Sequence, residues 1–134
     1  MSITIKLVSI LVDDQAKALD FYTNKLGFEK HADVGAGDYR WLTVIAPAGS
    51  PDIELVLEPN QNPAGKAYQT ALYEQGIAAT AFFTDDFDAD YERLVGLGVR
   101  FTGEPKEEPW GKYAVLDDTC GNLVQLQQVY SYDK

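Results

Sequence analysis

"DDQAKALDFYTNKLGF" (residues 13–28) and "DDFDADYERLVGLGVRF" (residues 85–101) decide the fold, because they are one pattern written twice. Each opens on a pair of aspartates, which cap helices well, and each closes on Leu-Gly, a helix stop. In the first copy Asp13 or Asp14 is the cap, and Ala18, Leu19, Tyr22 and Leu26 recur at helical spacing. In the second, Phe87, Tyr91 and Leu94 do the same. A strand precedes each helix, at residues 3–12 and 77–84. Along the earlier one, Ile5, Leu7, Ser9 and Leu11 share one face and Val8, Ile10 and Val12 the other. Three strands follow each helix: 28–34, 39–46 and 52–57 in the first half, then 99–104, 112–118 and 122–129. Turn residues at 35–37 and 47–51 separate the first set. The reading is an α+β fold: two βαβββ modules of about seventy residues, forming curled mixed sheets. Module one covers residues 1–60, a linker with a short amphipathic helix near 66–75 covers 61–76, and module two covers 77–134, all in a single domain.

The chain has 134 residues and is 46% apolar, so it can bury a real core. Its formal net charge is −10. Such a surface repels phosphate backbones and anionic lipid, which argues against nucleic-acid and membrane partners. No stretch approaches the ~20 apolar residues of a membrane helix. The one cysteine, Cys120, cannot form an internal disulfide, so a cytoplasmic location is expected.

The segments "SILVDDQAKALDFYTNKLGFE", "AFFTDDFDADYERLVGLGVRF" and "DDTCGNLVQLQQ", in this repeated layout, resemble the vicinal oxygen chelate superfamily of glyoxalases, bleomycin-resistance proteins and extradiol dioxygenases. The resemblance implies a concave face on each sheet and, in the enzymes, one divalent metal held from the first and last strand of each module. It also implies a homodimer. Carried over position by position, it puts the four ligand positions at Leu7, Glu54, Ala79 and Gln125. Leucine and alanine cannot coordinate, glutamine offers only a neutral carbonyl, and such metals normally take three or more protein ligands. No family-type metal or other cofactor is therefore expected. The only histidine, His31, falls near the second strand, off the ligand strands.

Glu54, in "DIELVLEP", is the best candidate for chemistry: an anchor for a polar or cationic group, or a general base. A Glu54–Gln125 hydrogen bond is expected to stand where a metal bridge would be. Trp41, Trp110 and Tyr113 are candidate ligand-facing aromatics, with Trp110 in the polar loop "KEEPWGKY" before a strand. Arg40 could meet an anionic ligand or pair with surface acids. Cys120 is flanked by acids and followed by Gly-Asn, which favours a turn residue over a nucleophile. The function expected is binding of a small aromatic or cationic molecule in a metal-free cavity. The alternatives are a glyoxalase-type lyase or dioxygenase-like enzyme, and a metal-independent enzyme with Glu54 as base.

Overall fold

A computed structural model describes residues 2–37 and 39–130 of the chain. The last residues of the expected second module, 131–134, lie outside the described residues.

The repeat is real in three dimensions. The first sheet holds β1 (Leu7–Val12), β2 (Glu29–Ala36), β3 (Tyr39–Ala46) and β4 (Ser50–Pro59) in the order β1-β4-β3-β2. The second holds β5 (Thr80–Phe83), β6 (Lys106–Glu108), β7 (Gly111–Asp117) and β8 (Leu123–Val129) in the order β5-β8-β7-β6. In each, the first strand runs parallel to the last and the remaining pairs are antiparallel. The helix between first and second strands makes that parallel return possible.

Helix α1 (Gln15–Asp20) is capped by Asp14, which accepts from the Lys17 amide at 3.0 Å, and not by Asp13. It widens into a π-helical turn over Phe21–Lys25. Helix α2 (Pro63–Glu74) has Asn62 as its cap and proline in its first turn, where the missing N–H costs nothing. Helix α3 (Phe87–Gly96) is capped by Asp86.

Alternation along the strands sorts the side chains. Ile10, Val12, Leu42, Val44, Leu55 and Leu57 of the first sheet face the helices, as do Ala114, Leu116, Val124 and Leu126 of the second. With Ala18, Phe21, Tyr22, Phe87 and Leu94 they make one continuous core. The modules are thus joined through their helix-bearing sides, and the opposite sheet faces stay open.

The join has a polar pin. Tyr22 is fully buried, and its hydroxyl donates to Asp118 Oδ2 at 2.6 Å across 96 residues of sequence. Asp118 also accepts from the amides of Cys120 and Asn122 and from the Asn122 side chain, at 2.7, 3.0 and 2.9 Å. Asn122 in turn donates to the Leu11 carbonyl at the end of β1. Beside it, buried Gln69 of α2 reaches the Leu11 and Cys120 carbonyls and takes a bond from Asn60. The stretch that sequence marks as a simple turn is therefore the rivet between both modules and the linker helix.

One expected strand moves. Residues 99–104 form only an isolated bridge, Phe101 to Leu116, and the sixth strand is Lys106–Glu108 instead. The chain still runs beside β7, since Asp117 donates to the Arg100 carbonyl and Thr102 to the Val115 carbonyl. Pro105 then removes a backbone donor and Gly103 loosens the run, so regular pairing restarts one residue later.

Gly111 opens β7 where a side chain cannot fit: a Cβ there would lie 2.0 Å from the Gln128 carbonyl oxygen. Backbone cannot yield as a flexible side chain does. Gly111→Ala is expected to destabilise the fold by about 1–3 kcal/mol, read as a lowered midpoint in urea unfolding.

Candidate functional site

The open face of the first sheet is the best-built candidate. β1 and β4 place Leu7 beside Glu54 and Ser9 beside Val56, while β3 places Thr43 opposite Val56. Trp41 and Val34 pair two residues further along the same face. The floor is therefore largely apolar, and Leu7, Val34 and Trp41 are exposed. Glu54 stands within it, and Glu58, paired with Leu11, lies further along the same face. Glu54 is half-buried, its side chain 31% exposed. Its Oε1 accepts from the Thr43 hydroxyl at 2.8 Å, and its other oxygen has no hydrogen bond among the described residues. Thr43 is itself held, accepting from the Ala32 amide at 3.1 Å.

His31 joins this group. A register shift in β2 between Lys30 and Ala32 brings its Nε2 to 3.9 Å from Glu54 Oε1. Strand alternation alone did not reveal this, because a bulge breaks the alternation.

Arg40 leaves the group. It shares strand parity with Leu42 and Val44, on the helix side, so it cannot face the same way as its neighbour Trp41. Its guanidinium is clamped on Asp33 by two bonds of 2.8 Å. That pair holds the exposed Asp33 carboxyl below its ordinary range. Of the two expected roles for Arg40, pairing with an acid is the one observed.

The second sheet offers a corresponding face. Gln125 is half-buried beside Ala81 on β5 and opposite Val115 on β7. Ala79 lies two residues before Ala81, its amide on the Leu123 carbonyl, so Ala81 and not Ala79 is the strand neighbour of Gln125. The expected Glu54–Gln125 bond is not formed: Gln125 Nε2 donates to Gln127 Oε1 at 2.7 Å, and the two residues belong to different sheets. Each bonds a neighbour on its own sheet instead. Trp110 stands in the β6–β7 turn and stacks on Tyr113, with ring centroids 5.5 Å apart and planes 12° from parallel. Trp110 remains exposed, a flat surface at the margin of this face.

A divalent metal of the kind implied by the resemblance would need donors from Leu7, Glu54, Ala79 and Gln125. They do not fit, because Leu7 and Ala79 carry no donor atom and Gln125 offers only a neutral carbonyl, which leaves fewer than three strong ligands. Among the described residues no three His, Cys, Asp or Glu side chains gather as a metal site.

Cys120 is buried. Burial, with the nearby Asp118 and Asp13 charges, pushes its thiol up to about 12. The thiolate is the nucleophile, so this cysteine is inert. Native protein is expected to leave Ellman's reagent unreacted at pH 8 and to titrate one thiol after unfolding. Since the folded value lies above the unfolded one, this group's contribution to stability is full below about pH 9 and is lost as pH rises through about 12.

A groove of about 740 Å³ runs along α2, between Asp13, Lys66, Tyr73 and Arg100. Its central polar groups are already joined: Asp117 takes bonds from the Tyr73 hydroxyl and, at 2.7 Å, from Arg100. Burial raises the Asp117 carboxyl, but those bonds and the Thr119 amide outweigh it and leave it below its usual range. This is a structural network beneath a shallow surface, not a ligand floor.

Residues 4–126 match the Glyoxalase/Bleomycin resistance protein/Dioxygenase superfamily. The chain belongs to that superfamily. Within it, the chain is 48% identical over 124 residues to the uncharacterized protein YurT of Bacillus subtilis (strain 168), covering 92% of this chain and 98% of that one. Among solved structures it is similar to UcmS2, with TM-score 0.81 and 36% identity over 95% of this chain and 98% of the other. It is also similar to TnmS3, an antibiotic binding protein from Streptomyces sp. CB03234, with TM-score 0.73 and 36% identity over 96% and 98% of the two chains. The superfamily fold, with its two four-stranded mixed sheets, is the fold found here. No helix among the described residues is long and apolar enough to cross a membrane.

Proposed function

We propose that this protein is a metal-independent binding protein for a small, planar, cationic organic molecule, held on the open face of the first sheet with Glu54 as anchor. The observation that carries the reading is the carboxylate itself. A half-buried carboxylate on a largely apolar face, with one oxygen unbonded among the described residues, is a poor arrangement until a cation or donor completes it. Trp41 on the same face supplies a flat surface for an aromatic body. The net charge of −10 draws cations toward the molecule. The similarity to TnmS3, an antibiotic binding protein, supports a small-molecule ligand.

In the same reading the molecule works as a cytoplasmic homodimer. Leu7, Val34 and Trp41 are exposed, and a second copy laid over this face would turn it into a cavity. Metal and other cofactors play no part.

A thermal-shift screen of the full chain tests the reading, using planar cations, bleomycin, the methylglyoxal–glutathione adduct and divalent metals. A planar cation at ~100-fold its Kd adds roughly 2.7 kcal/mol and raises Tm. Stabilisation by a metal or the glutathione adduct, and by nothing else, would instead make this a glyoxalase-type enzyme.

A further inference from the structure

His31 is the only histidine in the chain, and strand pattern alone sets it apart from Glu54. The bulge in β2 reverses that. Lys30 pairs in register with Val44 and carries its ammonium to Asp33, on the helix side. The extra residue, His31, turns to the open face instead and reaches 3.9 Å from Glu54 Oε1. Only small side chains, Thr43 and Ala32, stand between β2 and β4 at this level. Thr43 has no proton left to donate to the imidazole, since its hydroxyl donates to Glu54.

The His31 side chain is 52% exposed, and 3.9 Å is too long for a direct hydrogen bond. Imidazole and carboxylate thus stand side by side with unused capacity. Lys30, Asp33 and Arg40 are tied to one another on the other face.

We propose that His31 and Glu54 form a two-point receptor for a cation bearing several N–H groups, such as an amidinium or primary ammonium. This rests on the binding reading above and narrows it to one ligand class. One N–H of the ligand goes to the carboxylate and a second to a nitrogen of the His31 imidazole. A planar cation without N–H groups satisfies neither point, however well its rings stack.

The test compares two flat two-ring cations on the full chain by titration calorimetry: 2-naphthamidine, rich in N–H, and N-methylquinolinium, which has none. Wild type is expected to prefer 2-naphthamidine by about tenfold. His31→Leu lowers the ratio severalfold and leaves the share that the Glu54 carboxylate supplies, whereas His31→Gln, whose carbonyl accepts an N–H, keeps most of it. The single imidazole also gives one unambiguous NMR signal, which moves with 2-naphthamidine and stays with N-methylquinolinium. If both cations bind alike and the His31 signal does not move, the receptor is refuted while the binding reading stands. If neither cation binds, both are refuted.

Discussion

Asp118→Ala is expected to unfold the protein or lower its stability by about 4 kcal/mol, the largest effect of any substitution considered. Asp118 is fully buried and accepts four hydrogen bonds, from the Tyr22 hydroxyl, the Cys120 and Asn122 amides and the Asn122 side chain. Alanine strands all of these donors in a site that water does not reach, and each stranded donor costs about 1–3 kcal/mol before relaxation. Burial holds the Asp118 carboxyl above its usual range, against the pull of those bonds. The carboxylate is thus itself costly to bury, and this offsets part of the loss. Tyr22→Phe removes one bond and keeps the ring packing, so it is expected to cost about 1–2 kcal/mol. Urea unfolding of the two single variants and the double variant checks the assignment. Both substitutions act through one bond, so the double variant should lose less than the sum.

That rivet explains what the sequence made legible and what it hid. Helix periodicity, the aspartate caps and the Leu-Gly stops are local signals, and they located both modules and the topology. "DDTCGN" reads locally as a turn, and it is one, with Thr119 and Gly121 at positive φ. Its bond to Tyr22, however, spans 96 residues and leaves no local mark. The site follows the same division. Leu7 and Glu54 are direct neighbours in the β1–β4 register, and Trp41 shares their face. Of the two roles open for Arg40, the acid pair is the one found, because adjacent strand residues point opposite ways and Arg40 turns away from the face of Trp41. Ala79 lies two residues from Ala81, the strand neighbour of Gln125, because spacing from a helix cap does not fix which residues pair across strands. His31 was missed because one inserted residue reverses alternation, and insertions cannot be read from composition.

Glu54→Gln is expected to weaken 2-naphthamidine by about thirtyfold while leaving the fold intact. A hydrogen bond to a charged partner is worth about 1.5–3 kcal/mol, and the substitution removes the charge while keeping size and shape. The glutamine carbonyl can still accept from the Thr43 hydroxyl, so unfolding should change little. Glu54→Leu removes that acceptor as well. It should bind no better than the glutamine variant and be somewhat less stable, because the Thr43 hydroxyl loses its partner. Equal affinity in wild type and both variants would move the anchor elsewhere.

The central claim is that a carboxylate, and not a metal, makes this open face a binding site. Titration calorimetry of 2-naphthamidine against the purified full chain, before and after treatment with EDTA, tests it most directly when paired with elemental analysis of the same sample. The account predicts no stoichiometric divalent metal, binding unchanged by the chelator and loss of binding in Glu54→Gln. One bound metal per chain, with ligand affinity that disappears on chelation, would contradict it.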